Sequence, residues 1–391
     1  MGTARHPSRS PQERAFAYPT TATVAKSEST LAPAKINLTL RIFGRRADGF
    51  HELESLVAFA PFGDRLTLWP GEPLDLKVSG PMAAGAGPLA DNLVLRAARA
   101  LAERIEGLGL GRFVLFKRLP SGAGLGGGSA DAAAALRLIA KANGLRPDDQ
   151  RILEAARATG ADIPVCLDPR PRVMRGIGER LSAPMVLPKL GILIVHPGLA
   201  LPTGPVFKAL GLAPGEQFAG ASTVLSEKAR GDRLPQDASS PSPRLPSGRL
   251  RPSELAIGPA EGGTRWTGYG EGRGEGASPQ AQTRGDAPSP GLSPQAGRGE
   301  GSAEIAKRDA LLAWLASERN DLEKAAISIA PQIADVLSAI AGLAGCQLAR
   351  MSGSGSACFG LFDSARAAAA AARRLAAARP SWWVRAGLLG S

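Results

Sequence analysis

The most informative segment of this chain is a glycine-rich run, which reads Pro120-Ser121-Gly122-Ala123-Gly124-Leu125-Gly126-Gly127-Gly128-Ser129-Ala130 and leads into an alanine-rich stretch ending near Asn143. Glycines let main-chain N–H groups approach an anion closely, and the first turn of a helix adds unpaired N–H groups and a partial positive charge. A tight turn alone needs one or two glycines, whereas six of the eight positions 121–128 are glycine or serine. The run therefore predicts a phosphate-binding loop, followed by a helix that Ser129 caps.

Two common phosphate motifs do not account for this loop. Gly122, Gly124 and Gly127 match the spacing of a dinucleotide fingerprint, but the acidic residues that follow, Asp148 and Asp149, come after a helix rather than a second strand. A Walker loop needs a lysine after the glycines, and none is present. The sequence thus indicates a phosphate loop of another class.

The elements around the loop mix strands and helices without a regular βαβ period, so an α+β architecture is expected. Alternating apolar positions predict a strand over Lys35–Phe43, and helical spacing over Asn92–Ile105 predicts a helix with Asp91 as its N-cap. The remaining predicted strands are 57–69, 113–116, 191–195, 347–350 and 357–362, and the remaining helices are 129–143 and 364–378.

Composition limits the classes of function. No run of ~18 apolar residues occurs, so no membrane-spanning helix is expected. The three cysteines form no CxxC pair, which argues against a disulfide framework or a zinc site and favours the cytoplasm. The net charge of +12 fits either nucleic acid or small anionic phosphates. Scattered basic residues and an aromatic content of 5% favour the small phosphates and argue against a nucleic-acid partner.

Two segments have the composition of disordered chain. Residues 1–28 mix Arg, Ser, Pro and Thr, and we expect a disordered N-terminal extension there. Residues 231–300 contain 14 Gly, 10 Pro and 8 Ser, too little apolar surface to offset the entropy of ordering. We therefore predict a disordered insertion over 229–303 that interrupts a domain.

Three segments together resemble the GHMP kinase superfamily. They are Pro33-Ala34-Lys35-Ile36-Asn37-Leu38 with Gly44-Arg45-Arg46-Ala47-Asp48-Gly49-Phe50-His51, the glycine loop itself, and Met351-Ser352-Gly353-Ser354-Gly355-Ser356-Ala357-Cys358-Phe359. The resemblance implies two α+β domains, at 29–185 and 186–388, with the active site in the cleft between them. It also implies an ATP-dependent kinase acting on the 2-hydroxyl of a cytidine-diphosphate methylerythritol, in the non-mevalonate route to isoprenoids.

The resemblance further implies two catalytic residues. Asp162, in Gly160-Ala161-Asp162-Ile163-Pro164, would accept the proton of the substrate hydroxyl, and Lys35 would polarise that hydroxyl beside it. Without the resemblance, helix capping by Asp162 is an equal interpretation.

For the substrate, the resemblance implies stacking of cytosine by Phe50 and Phe207, reading of the base edge by His51, and contacts from Asn37 and Thr203. Asn37 would also align Lys35 with Asp162. Mg²⁺ is expected to accompany ATP, but no protein ligand for it can be named, because Ala130 stands where the family often has a second serine. A monomer or a homodimer is expected. The rival interpretations are a homoserine or mevalonate type of kinase and, more remotely, a basic nucleic-acid-binding protein.

Overall fold

The computed structural model describes residues 26–218 and 297–390. The predicted disordered segments lie almost entirely outside these ranges. At their edges the bounds differ from the prediction, because strand β1 begins at Glu28 and helix α6 begins at Gly297, inside the range 229–303. Regular structure therefore begins a few residues before the predicted bound at 303.

The N-terminal half forms a seven-stranded sheet around one long strand, β3 (His51–Pro70). Its strand order is β4-β5-β3-β6-β7, and β1 and β2 pair with different parts of β3. The other strands are β1 (Glu28–Asn37), β2 (Arg41–Arg45), β4 (Asp75–Ser79), β5 (Gly111–Phe116), β6 (Arg172–Gly176) and β7 (Arg180–Leu181). Four helices complete this half: α1 (Leu93–Ala102), α2 (Gly127–Ala142), α3 (Gln150–Thr159) and α4 (Ile163–Leu167).

The C-terminal half forms a four-stranded antiparallel sheet in the order β11-β8-β10-β9. Its strands are β8 (Leu190–His196), β9 (Cys346–Met351), β10 (Cys358–Phe362) and β11 (Trp383–Leu389). Its helices are α5 (Thr203–Lys208), α6 (Gly297–Ser317), α7 (Glu323–Ile329), α8 (Gln332–Ala341) and α9 (Ala365–Ala378). Both sheets carry helices and the strands are largely antiparallel, which confirms the predicted α+β architecture of two domains.

The strand predicted over Lys35–Phe43 is wrong in one respect, because it is broken between Asn37 and Arg41. The main-chain N–H of Leu40 donates to the carbonyl of Arg319, and Leu40 bridges to Asn320 in the C-terminal half. The alternating apolar pattern survives the break, since Leu38 and Leu40 are both buried. The chain therefore leaves one domain's sheet at this point to pair with the other domain.

Two predicted helix caps are also wrong. Asn92, not Asp91, caps α1, since its side chain accepts from the N–H of Val94. Gly126, in the left-handed conformation, precedes α2, and Ser129 lies within the first turn of that helix. In both places the loop sets the helix start one to three residues away from the best capping side chain in the sequence.

One hydrophobic cluster spans the two halves. Alternate residues of β1, such as Ala34 and Ile36, pack in it with Ile192 of β8 and Phe359 of β10. The buried Arg350 joins the halves as well, because its guanidinium donates to the carbonyls of Leu38, Leu315 and Glu318. The shared core fixes the two domains against each other and leaves the cleft between them open. Among the described residues, no helix has the length and apolar content needed to cross a membrane.

Candidate active site

A cleft of ≈ 940 Å³ lies between the domains. Its walls combine loop 120–129 of the N-terminal half with Thr203, Phe207, Gly353 and Ser354 of the C-terminal half. The cleft brings together all the predicted site residues except Ala130: Lys35, Asn37, Phe50, His51, Pro120, Ser121, Gly122, Ala123, Gly124, Leu125, Gly126, Gly127, Gly128, Ser129, Asp162, Thr203 and Phe207.

Both domains hold the phosphate loop through its carbonyl groups. The carbonyls of Gly122, Ala123 and Leu125 accept main-chain N–H groups of Leu201, Ala357 and Lys35 at 2.9, 3.0 and 2.9 Å. The carbonyl of Gly124 accepts the hydroxyl of Ser352 at 3.2 Å. Because the surroundings bind the carbonyl side of the loop, its amide side is the one available for an anion.

The glycines at 124 and 126 are needed for different reasons. A Cβ on Gly124 would lie 2.4 Å from the carbonyl oxygen of Ser352, so only glycine allows the loop to approach the segment 352–356. Gly126 has φ +62°, the left-handed conformation that turns the chain into α2. The first intrahelical bond of α2 runs from the N–H of Ala130 to Gly126 at 2.8 Å. The N–H groups of Gly127, Gly128 and Ser129 therefore precede the helical ladder and suit phosphate.

Ala130 does not fit its predicted role as a nucleotide contact. Its side chain is buried in the core of the N-terminal domain, and its N–H is taken by Gly126. Because the helix starts earlier than predicted, position 130 is already inside the ladder. The N–H groups that precede the helical ladder thus end at Ser129.

The two residues predicted to be catalytic are in contact. Lys35 Nζ lies 2.9 Å from Asp162 Oδ1, although 127 positions separate them in the chain. Lys35 is 4% exposed, whereas Asp162 is 41% exposed and faces the cleft. A Cβ on Gly126 would lie 3.2 Å from Lys35 Cβ, so the pair sits directly against the phosphate loop.

Helix capping does not explain Asp162. The residue occupies the N-cap position of α4 with an αR backbone, but its side chain makes no capping hydrogen bond. Arg137, on α2, instead secures the other end of α4 by donating to the carbonyl of Cys166 at 2.7 Å. Burial raises the pKa of Cys166 to about 12, so this neighbour of the pair remains a neutral thiol. The geometry leaves the Asp162 carboxylate to the cleft.

Aromatic rings line the far end of the cleft. The imidazole of His51 and the ring of Phe207 lie 4.8 Å apart between centroids, inclined at 44°, while Phe50 is 55% exposed. His51 Nε2 is buried and has no hydrogen-bond partner in the described structure. Burial, with Arg45 nearby, lowers the pKa of His51, which favours a neutral imidazole. This part of the cleft thus combines aromatic rings with a buried ring nitrogen that has no partner among the described residues.

Asn37 and Thr203 are held by serines rather than by the ion pair. The side-chain amide of Asn37 donates to the Ser55 hydroxyl at 2.8 Å, and its main-chain N–H donates to the Ser352 hydroxyl at 3.1 Å. The Thr203 hydroxyl lies 3.0 Å from the Ser354 hydroxyl. Both therefore contact the loop 352–356 or its neighbours, and the described contacts of Asn37 do not include Lys35 or Asp162.

A second charged group beneath the loop escaped the sequence analysis. Lys117 Nζ lies 2.5 Å from Asp64 Oδ2 and 2.8 Å from Asp131 Oδ2, and all three side chains are at most 5% exposed. The sequence contains one sign of this group, because Asp131 is the one charged residue in the stretch 119–136. If that stretch is buried, an ionised Asp131 needs a charged partner. No sequence pattern around Asp64 or Lys117 identifies these residues as the partners of Asp131.

Comparison with known proteins first defines the class. The model of the GHMP kinase N-terminal domain matches residues 92–168, and that of the GHMP kinase C-terminal domain matches residues 302–380. A crystal structure of homoserine kinase from Cytophaga hutchinsonii has a TM-score of 0.53 at 16% identity, covering 95% of this chain and 96% of that one. That likeness concerns the fold alone.

Closer relatives define the family within this class. A 4-diphosphocytidyl-2-C-methyl-D-erythritol kinase of Xanthobacter autotrophicus is 48% identical over 92% of this chain and 97% of the relative. One from Methylobacterium radiotolerans is 46% identical over 90% and 96%. A crystal structure of 4-(cytidine 5'-diphospho)-2C-methyl-D-erythritol kinase has a TM-score of 0.58 at 29% identity and covers 93% of this chain and 100% of that one. This chain belongs to the 4-diphosphocytidyl-2-C-methyl-D-erythritol kinase family of the GHMP kinases.

Proposed function

We propose that the protein transfers the γ-phosphoryl group of ATP to the 2-hydroxyl of 4-diphosphocytidyl-2-C-methyl-D-erythritol, which yields the 2-phosphate in the methylerythritol phosphate pathway. One observation carries the proposal: a single cleft contains the phosphate loop, the Lys35–Asp162 pair and the ring pair His51–Phe207. A kinase for this substrate needs these three features together, for triphosphate, alcohol and nucleobase. The names of its relatives agree with this activity.

At the substrate hydroxyl, Lys35 and Asp162 have different roles. Oδ1 of Asp162 is bound by Lys35. The other carboxylate oxygen accepts the proton of the substrate 2-hydroxyl while the hydroxyl oxygen attacks the γ-phosphorus. The Lys35 ammonium orients the carboxylate and stabilises negative charge that develops on the attacking oxygen and the transferred group. The bond from the γ-phosphorus to the β–γ bridging oxygen breaks, and ADP leaves.

At the nucleotide, the amides at the start of α2 hold the phosphates of ATP. Among residues 26–218 and 297–390, no cluster of three carboxylate, imidazole or thiol groups is placed to hold a metal ion. Mg²⁺ would enter as the magnesium complex of ATP, and the amides at the start of α2 would hold that complex through its phosphates.

At the nucleobase, Phe207 and the exposed Phe50 supply stacking faces, and His51 reads the base edge. A neutral imidazole carries one donor and one acceptor, and cytosine offers both kinds of group along its edge. Asn37 and Thr203 complete the contacts to the substrate. We keep a cytoplasmic monomer or homodimer as the prediction for the assembled protein.

A coupled assay of ADP release tests the proposal. Turnover should be seen with 4-diphosphocytidyl-2-C-methyl-D-erythritol. The kcat/KM for homoserine or mevalonate should be at least ~10³-fold lower, because neither alcohol fills the nucleobase end of the cleft. Comparable turnover of either alcohol would contradict the proposed substrate while leaving a kinase activity in place.

A further inference from the structure

In the group formed by Lys117, Asp64 and Asp131, the two carboxylates differ in how many hydrogen bonds they accept. Asp64 accepts from Lys117 through one oxygen and from the main-chain N–H groups of Arg118 and Leu119, at 2.5 and 2.8 Å, through the other. Asp131 accepts from Lys117 through Oδ2 at 2.8 Å, while its Oδ1 is buried and has no partner within the described structure. An unpaired carboxylate oxygen is costly in a buried site, so Asp131 is the member of this group whose charge is least supported.

The group lies directly behind the phosphate loop. A Cβ on Gly127 would lie 3.6 Å from Lys117 Nζ and 3.7 Å from Asp64 Oδ2. Lys117 and Asp131 also belong to the wall of the cleft. Phosphate on the amides of Gly127–Ser129 would therefore be a near neighbour of the Asp131 carboxylate.

The charges of the group oppose such a neighbour. With both carboxylates ionised, one ammonium leaves the group with a net charge of −1, beside a loop that is suited to a polyanion. A nearby negative charge disfavours the ionised form of a carboxyl group. Within the part of the chain that the structure describes, three donors contact Asp64, whereas one contacts Asp131, so the change falls on Asp131.

Asp131 is already close to protonation in the free protein. Burial raises its pKa to about 7; Lys117 opposes the rise and Asp64 adds to it. On the elements packed against Asp131, the other titratable groups in or beside the cleft are Lys35 on β1, His51 on β3, and Asp162 and Cys166 at α4, of which the thiol stays neutral. The ionic side chains of α1 and α3 are exposed: Arg96, Arg99, Arg151, Glu154 and Arg157.

We propose that Asp131 takes up one proton from solvent when nucleotide phosphates bind the loop, so that the buried group changes from net negative to neutral. The proton goes to the carboxyl of Asp131, whose unpaired oxygen then presents an O–H donor in place of a repelling charge. Asp131 is thus a positioning residue whose protonation state sets how well the loop holds phosphate. The inference rests on the proposed function, because it needs a nucleotide on this loop.

Calorimetry of the full-length protein with ADP, with and without Mg²⁺, tests the proposal directly. Titrations at pH 8 in two buffers of different ionisation enthalpy count the protons exchanged. We expect uptake of about one proton per ADP, and an affinity that falls by up to about tenfold per pH unit above pH 7, because the free carboxylate must then be protonated on binding. Release of a proton, or no exchange, would overturn the proposal, since a metal-ligating or inert Asp131 would behave in those ways.

Two variants separate proton linkage from a structural role. Asp131→Asn is neutral at every pH and keeps an acceptor for Lys117, so its ADP affinity should lose this pH dependence and exceed that of the wild type at pH 8. Asp75→Asn, which removes an exposed carboxylate on β4, should keep the wild-type dependence. A pH dependence retained in Asp131→Asn would overturn the proposal.

The measurements also distinguish failure of the Asp131 inference from failure of the proposed function. Binding of ADP without proton uptake overturns the inference on Asp131 alone. Absence of ADP binding in the folded wild-type protein overturns the proposed function together with it. Because the buffer comparison uses the wild-type chain, its result stands even if Asp131→Asn does not fold.

Discussion

Two lysines lie against consecutive glycines of the phosphate loop, Lys35 against Gly126 and Lys117 against Gly127. Both bind carboxylates at 2.5–2.9 Å, yet the carboxylate bound by Lys35 is 41% exposed and the two bound by Lys117 are at most 4% exposed. The open carboxylate is accessible to a molecule in the cleft, whereas the closed ones are enclosed by protein. The same residue types therefore differ in the chemistry open to them according to the exposure of their carboxylates.

The largest effect is expected at the open pair. Asp162→Asn keeps the size of the side chain and removes the base, so kcat should fall by about 10²–10⁴-fold in the coupled assay. The affinity for ADP should stay near the wild-type value, whereas the urea midpoint should fall modestly, because Lys35 is 4% exposed and loses its charged partner. Asp148→Asn, at an exposed turn, is the matched control. Normal turnover in Asp162→Asn would remove this residue from the mechanism.

The closed group should respond mainly in stability. Lys117→Met leaves two buried carboxylates without their ammonium and should lower the free energy of unfolding by about 3–5 kcal/mol in urea titrations. Lys141→Met removes a half-exposed lysine that pairs with Glu28 and should cost no more than about 1 kcal/mol. Equal losses in the two variants would show that burial does not distinguish these ion pairs.

A pH series of unfolding sharpens the contrast between Asp131 and Asp162. Because burial raises the pKa of Asp131 to about 7, the native state binds more protons than the unfolded state between about pH 4 and pH 7. The Asp131 contribution to stability is therefore present at low pH and is lost as the pH rises through 7. Asp131→Asn should gain stability relative to the wild type over this window, by at most about 1.4 kcal/mol per pH unit, and show no further relative change above it. A flat difference would contradict the raised pKa.

The smallest effect on activity is expected at Phe207, where the predicted contact with substrate is ring stacking rather than an ion pair. Phe207→Ala removes a stacking face and should raise KM for the cytidine substrate about tenfold, with kcat changed less, because base stacking is worth ~1–3 kcal/mol. Phe116→Ala removes an exposed ring on β5 outside the cleft and should leave KM unchanged. A KM effect of the same size in both variants would argue against a nucleobase site at Phe207.

Local sequence patterns predict much of the secondary structure and the glycine-rich loop of this protein. Residues 120–129 indicate an anion loop because glycine spacing and a following helix are short-range properties, and β5, β8, β10 and α9 lie within a few residues of their predicted bounds. Ser364 caps α9 as a serine before an alanine-rich run should, through the N–H of Ala367. The resemblance then identified Lys35 and Asp162 as partners, which composition and periodicity alone could not do.

Tertiary structure decided what depends on burial and on distant contacts. Ser129 is not the cap, because the left-handed turn into α2 lies at Gly126, which packs against Lys35. Lys117 and Asp64 are 53 residues apart, and neither carries a local mark of its role. A carboxylate's chemistry follows from its solvation and its neighbours, and both are set only when the chain is folded. The sequence by itself therefore determined the loop and the family, and the fold determined which charges are open to substrate and which are enclosed.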